Sequence, residues 1–189
     1  MKLGKTFYAK NRREWRAWLA KHHRLAPEIW LIYYKKESGR PRIPYNDAVE
    51  EALCYGWIDS ILKPIDARRY AQRFSPRRPT SRLSEMNRER VRRLIAAGRM
   101  TSAGLERIKH VFDHRRDTQK LKWETPADIL KRLQQDPAVW KNFRRFPESY
   151  KRIRIGWIVA ARHRQEVFEQ RLRYFLKMTA QNKRFGMVQ

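Results

Sequence analysis

Six consecutive residues, Ile29-Trp30-Leu31-Ile32-Tyr33-Tyr34, constrain the fold of this chain more than any other stretch. The run is made only of large apolar and aromatic side chains that favour extended backbone, and it is too short for most helices. A strand with one wet face alternates apolar and polar residues, whereas a strand without that alternation is covered on both faces. The run is therefore read as a central strand, so the chain must supply strands beside it and helices above and below it. The material is present: 189 residues, 41% of them hydrophobic, with seven Trp and eight Phe. A chain of that size buries about 70% of its unfolded surface.

The segments around the run supply those partners. Residues 11–23 place Trp15, Trp18 and Leu19 on one helical face, with Asn11 as N-cap and Pro27 beyond the end. Residues 35–44 hold Ser38-Gly39 and two prolines and read as a loop. Residues 46–55 set Ala48, Val49, Ala52 and Leu53 on one side of a helix that stops at Gly56. Residues 57–63 and 69–74 are two strands, and the short link between them suits a hairpin. If Lys63 pairs with Arg68, then Trp57 faces Phe74, Asp59 faces Gln72 and Ile61 faces Tyr70. Prolines at 76 and 79 keep residues 75–81 extended. Ser84 caps a helix ending at Gly98. Thr101 caps the next, with Met100 and Leu105 at hydrophobic-staple spacing and Leu105, Ile108, Val111 and Phe112 turned inward.

A polar connector at 113–125 marks a boundary. Beyond it, Thr125-Pro126 and Asp136-Pro137 each read as a cap followed by proline in the first helical turn. Two more helices carry Tyr150, Ile153, Trp157 and Ile158, then Phe168, Leu172, Phe175 and Leu176, and residues 181–189 form a loose tail. The fold class is α+β: a small sheet of about three strands, containing antiparallel pairing, with flanking helices, then an all-helical C-terminal part. Residues 1–116 form the core domain and residues 117–189 the helical region, either separate from the core or packed with it as one unit.

Charge bounds the function. The net charge is +26, from 45 Lys+Arg against 19 Asp+Glu. An excess of this size repels itself in the folded state and is relieved by a polyanion, so an anionic ligand or nucleic acid is the natural partner; a basic but inert surface is the competing explanation. Arginine outnumbers lysine two to one, and guanidinium forks match phosphate and carboxylate geometry. A single cysteine, Cys54, excludes an internal disulfide framework and a cysteine-rich zinc site, and apolar helix neighbours mark it as a small buried residue. His110 and His114 stand at i, i+4, but without the glutamate of a zinc-protease motif, so no metal and no cofactor is expected. The N-terminus has no apolar signal region and no run reaches the length of a membrane span, so a cytoplasmic protein is expected.

Two places concentrate the chemistry. Asp59 sits in an otherwise aromatic hairpin and needs a partner, either a structural arginine or a ligand that it orients. Between Arg68 and Arg99 there are eleven arginines and only two acids, Glu85 and Glu89. The arginines after Ser84 have glutamates at helical spacing, which suits surface pairing. Arg73, Arg77 and Arg78 have no local acid. With Asp59, Tyr70, Ser81, Ser84 and Asn87 they form the candidate binding set for one phosphate or carboxylate, Ser84 adding a helix N-terminus. No nucleophile–base pair and no nucleotide-binding motif is present, so the reading leans away from an enzyme.

The segment from Trp30 to Gly104 resembles the YdeI/OmpD-associated, or bacteriocin-protection, family. The resemblance is carried by WLIYYKK, by Tyr45 with AVEEALCYGWIDS, by RYAQRFSPRRP, by Ser81-Arg82-Leu83-Ser84 with Asn87 and by RLIAAGRMTSAGL, and it continues more weakly over residues 147–161. The resemblance implies a small bacterial α+β protein without an established enzymatic activity. It also implies an alternative function, stress response or tolerance of antimicrobial peptides and bacteriocins through a protein partner. A protein of charge +26 repels cationic peptides, so direct sequestration does not fit.

Overall fold

The structure, a computed structural model, describes residues 3–113, 117 and 123–186. Among these lie eight α-helices and one four-stranded mixed sheet, an α+β architecture with one strand more than expected. The chain divides into two compact units, Met1–Arg82 with Arg90–Asp113, and Leu83–Glu89 with His114–Gln189.

The first unit holds the sheet. Its strands are β1 (Thr6–Tyr8), β2 (Ile29–Tyr34), β3 (Trp57–Pro64) and β4 (Arg69–Pro76), in the order β1-β2-β4-β3. As the sequence demands, β2 is interior: it pairs in parallel with β1 and antiparallel with β4, and Ile29, Trp30, Leu31 and Tyr33 are buried. The added strand, β1, reaches β2 through α1 (Arg12–His22), the crossover that a parallel pair requires. Asn11 caps α1 as expected, accepting from the Glu14 N–H. Trp15 of α1 lies 5.3 Å from both Trp18 and Phe74, which fixes the helix to one face of the sheet.

The hairpin register differs from the expected one by two residues. Trp57 faces Pro76 and Asp59 faces Phe74. One extra β3 residue is then accommodated between Asp59 and Leu62, so that Leu62 faces Gln72 and Lys63 faces Ala71. The cause is local. Asp66 Oδ1 accepts from the Arg68 N–H, and the Ile65 and Asp66 N–H groups both reach Arg69 O, which closes the turn later than a tight Lys63–Arg68 pair would. The buried Gln72 amide donates to Ser60 O inside the bulge.

Helix α2 (Tyr45–Cys54) ends before Gly56, whose φ of +73° no other residue adopts as readily. Its Cys54 carbonyl receives both the backbone N–H and the hydroxyl of Thr101, at 3.1 and 2.6 Å. Thr101 also caps α4 (Ser102–Ile108) by accepting from the Gly104 N–H. Gly104 permits that junction: a Cβ there would lie 2.2 Å from Cys54 O. Ile108 and Phe112 are buried as expected, but Leu105 is 37% exposed, because α4 turns Gly104 inward beside Ile108. Helix α3 (Glu85–Ala96) belongs to the second unit through its first turn and to the first unit through the remainder.

The second unit packs α5 (Ala127–Gln134), α6 (Pro137–Arg145), α7 (Glu148–Val159) and α8 (Gln165–Ala180) around Ile129, Leu133, Phe143, Tyr150, Ile158, Phe168 and Phe175. Asp136 caps α6 with Pro137 in its first turn, as read from sequence. The segment after α8 is not loose over its described part. The Phe185 ring lies 4.8 Å from Tyr174 and 6.0 Å from Trp157, and its N–H donates to Tyr150 Oη. Most of the connector expected at 113–125 lies outside the described residues.

Candidate functional site

The strand end after Pro76 leads directly into a buried charge. The Arg77 N–H donates to Gly56 O at 2.9 Å, which continues the β3–β4 pairing by one step. Residues 78–81 then turn rather than extend. Pro79 takes the second position of a turn in which the Ser81 N–H donates to Arg78 O at 3.0 Å. The turn lets the Arg77 side chain reach Arg82 O, to which Nη2 donates at 2.7 Å. That carbonyl is the only acceptor it finds among the described residues. Arg77 is 1% exposed, yet its Nε and Nη1 have no hydrogen-bond partner among the described residues. Burial pulls its pKa below the usual arginine value, and Asp59 is the one charged group that works against this shift.

Asp59 is shared. Its Oδ2 accepts from Tyr45 Oη at 2.7 Å, and its charge also supports Arg90, a second buried arginine held down by desolvation. Arg90 Nη2 donates to Asn46 Oδ1 at 2.8 Å, on the first turn of α2. Tyr33 completes the group. Its hydroxyl is buried without a partner, and desolvation, with Tyr70, Tyr45 and Asp59 nearby, pushes its pKa far up, so it remains a proton donor. Asp59 thus acts on both buried guanidinium ions, with Glu50 also supporting Arg90, and among the described residues two Arg77 N–H groups and the Tyr33 hydroxyl are open donors. A buried donor without an acceptor costs about 1–3 kcal/mol, and more when the group is charged. Chemically, open N–H and O–H donors of this kind match the acceptor oxygens of an anion.

The other expected site residues are distributed as follows. Tyr70 stacks on Tyr33 at 5.2 Å, and its hydroxyl accepts from Arg42 Nη1, which puts it at the edge of the cluster. Arg73 is one residue out of phase with Gln72 and Phe74, so the pleat sends it to the opposite face from Asp59. There Arg73 forms an ion pair with Glu28 at 2.6 Å, and the pair depresses the Glu28 pKa. Arg78 and Ser81 lie in the turn that carries Arg77; Arg78 is exposed, and Ser81 O meets His110 Nε2 at 3.3 Å. Ser84 and Asn87 belong to the second unit, where Ser84 Oγ accepts from the Asn87 N–H and caps α3. Within the first unit the structure therefore groups Asp59, Arg77 and Tyr70 with Tyr33, Tyr45 and Arg90.

A second charged cluster was not anticipated. Glu51 is fully buried on α2, and its carboxylate receives Arg12, Arg16 at 2.7 Å, and Arg99. Arg12 also spans to Asp47 and Glu50, and Glu50 takes Arg93 at 2.9 Å. These arginines all have carboxylates, so this cluster is a structural clasp around α2. Cys54, on the same helix, is buried and its thiol is pushed up to about 11, first by desolvation and then by Glu51.

Among the described residues no group of three or more His, Cys, Asp or Glu side chains is placed to hold a metal, and His114 lies outside those residues. No described helix is long and apolar enough to cross a membrane.

Residues 7–107 match the family model described as a domain of unknown function (DUF8412), and they take in β2, β3, β4, all but the first residue of β1, and the Arg77 cluster. Residues 122–182 match the model described as Bacteriocin-protection, YdeI or OmpD-Associated. The family named from the sequence is thus found, but on the C-terminal helices; the central block from Trp30 to Gly104 falls within the domain of unknown function. No curated protein and no solved structure matches the chain. The chain belongs to the family of that domain of unknown function, and its C-terminal helical region is similar to the YdeI/OmpD-associated family.

Proposed function

We propose that the chain is a binding protein for a small phosphate-bearing or carboxylate-bearing ligand, seated on Arg77 in the first unit. The observation that carries the reading is a guanidinium 1% exposed with two of its donors unmet. Native proteins satisfy nearly all buried polar groups, so an orphaned pair on a permanently charged side chain asks for an acceptor from outside the fold. Asp59, fixed by Tyr45, acts on the guanidinium through its charge alone and sets a limit on how much negative charge the seat accepts. The burial of Arg77 favours a small head group over a polymer backbone. Nucleic acid remains the occupant that the net charge of +26 favours, through the exposed arginines instead.

Thermal unfolding across a panel of anions at constant ionic strength tests this: inorganic phosphate, a phosphate monoester, acetate and chloride. A bound anion raises stability by about 2.7 kcal/mol at a hundredfold excess over its dissociation constant. The reading fails if no member shifts the transition beyond chloride. A duplex oligonucleotide separates the alternative, since binding through exposed arginines falls steeply with salt and is unchanged in Arg77→Met. The second reading, tolerance of bacteriocins through a protein partner, is favoured by the description of the matched C-terminal domain. It predicts that cells lacking the protein lose survival under bacteriocin challenge and regain it with an Arg77→Met copy; unchanged survival of the deletion strain rejects it.

A further inference from the structure

A different cleft lies wholly within the second unit. It encloses about 430 Å³ between residues 83–86 and α7, and its walls are mainly apolar: Leu83, Met86, Ile153, Trp157 and Ala160. This volume falls within the range of small-molecule pockets, about 300–1,000 Å³. Gly156 lines it and permits a close approach, since a Cβ there would lie 2.4 Å from Glu85 Cγ and force the first turn of α3 away.

The cleft also has a cation that finds no anion among the described residues. Arg154 lines it, is 6% exposed, and has a buried Nε with no acceptor among the described residues. Its guanidinium lies 4.6 Å from the Phe185 ring centroid and 5.6 Å from that of Tyr150. The rings offer π-density to the cation but no hydrogen-bond acceptor. Desolvation lowers the Arg154 pKa, and no carboxylate stands among the groups that offset it. Glu85 is the one acid on the wall, and Arg88 at 3.5 Å partly neutralises it.

We propose that this cleft binds a small monocarboxylic acid with an apolar, aromatic-sized body, the body against Trp157, Ile153 and Met86 and the carboxylate on Arg154. One negative charge satisfies Arg154. A second is opposed by Glu85, which disfavours phosphate dianions here and distinguishes this site from the Arg77 seat.

Calorimetric titration of the full chain with 1-naphthoate, 1-naphthalenemethanol and 1-naphthyl phosphate tests the assignment. Naphthoate is expected to bind at one saturable site, with the neutral alcohol about tenfold weaker, the effect of losing one charge-assisted contact. The phosphate is expected to bind more weakly than naphthoate. Ala160→Trp, at an exposed rim position, fills the cleft and abolishes binding while the circular dichroism spectrum is unchanged. Arg154→Met reduces naphthoate binding about tenfold and leaves the alcohol as it was. The proposal is overturned if naphthoate shows no saturable heat, if alcohol and acid bind equally, if the phosphate binds most tightly, or if binding survives in folded Ala160→Trp. Should Ala160→Trp not fold, the Arg154→Met comparison of acid with alcohol decides.

Discussion

Replacing Arg77 by Met is expected to stabilise the ligand-free protein, against the rule that truncating a buried hydrogen-bonded side chain destabilises. In the wild-type chain, Nε and Nη1 are buried without acceptors, and each such donor costs about 1–3 kcal/mol. Methionine has no donors and an unbranched stem that fits irregular space. What the substitution loses is the 2.7 Å bond from Nη2 to Arg82 O, about 1.5–3 kcal/mol for a charged donor, and about 1 kcal/mol of packing. Arg82 is an exposed residue, so its carbonyl is expected to take up water once the donor is lost. With two donors at mid-range, the balance favours the variant by about 1 kcal/mol, before the relief of a desolvated charge is counted. For a chain of this length that is about 2–4 °C in the melting transition. Urea unfolding, followed by far-ultraviolet circular dichroism in buffer free of phosphate and sulfate, measures it. Addition of the bound anion reverses the order, because only the wild type gains from it. Destabilisation of Arg77→Met by more than about 2 kcal/mol in the ligand-free state would refute the reasoning and make the Arg82 bond a structural tie.

Other substitutions test the scaffold. Glu51→Leu leaves Arg12, Arg16 and Arg99 around an uncharged buried site and should cost about 3 kcal/mol by urea unfolding, the lower end for a broken buried pair because the arginines are partly exposed; a loss under about 1 kcal/mol means that the clasp does not hold α2. Gly104→Ala should cost about 1–3 kcal/mol and expose the α2–α4 junction to hydrogen exchange, since the new Cβ meets the Cys54 carbonyl; wild-type protection of the Thr101 amide contradicts it. Asp136→Ala should cost about 1 kcal/mol through the loss of two bonds, to the Ala138 and Val139 N–H groups; an unchanged unfolding midpoint contradicts it. The folded-state thiol of Cys54 is raised above its ordinary value to about 11, so it stays protonated from neutral pH until that value is approached. Iodoacetamide at pH 8 should modify it only after unfolding, and stoichiometric labelling of native protein contradicts its burial.

The parts of the fold that are set locally were legible in the sequence. The unalternating β2 run announces a strand covered on both faces, and Asn11, Thr101 and Asp136 announce their helices because capping is settled within three residues. Features fixed by distant partners were not. Strand β1 has three residues and no pattern of its own; it exists because β2 offers it an edge. The hairpin register depends on the Asp66 turn and on the bulge after Asp59, neither of which leaves a mark in the alternation. Arg73 is the instructive case. Period-two alternation in β4 already separates it from Gln72 and Phe74, so its placement opposite Asp59 was readable. Tyr33 gave no signal beyond core, and Tyr45, just before the helix read at 46–55, entered only through the family resemblance. Nothing in the sequence marked Glu51, because its three arginines come from α1 and from the segment after α3. Phe185 looked like tail, although its ring docks among Trp157, Tyr174 and Phe175.

The anion seat is tested most directly at the Arg77 guanidinium itself. In a proton–nitrogen correlation spectrum of arginine side chains, one Nε–H signal should vanish in Arg77→Lys, which assigns it. On titration with inorganic phosphate at constant ionic strength, that signal should shift saturably while those of exposed arginines stay in place. A signal that remains fixed as phosphate rises, or moves only in step with the surface arginines, contradicts the account.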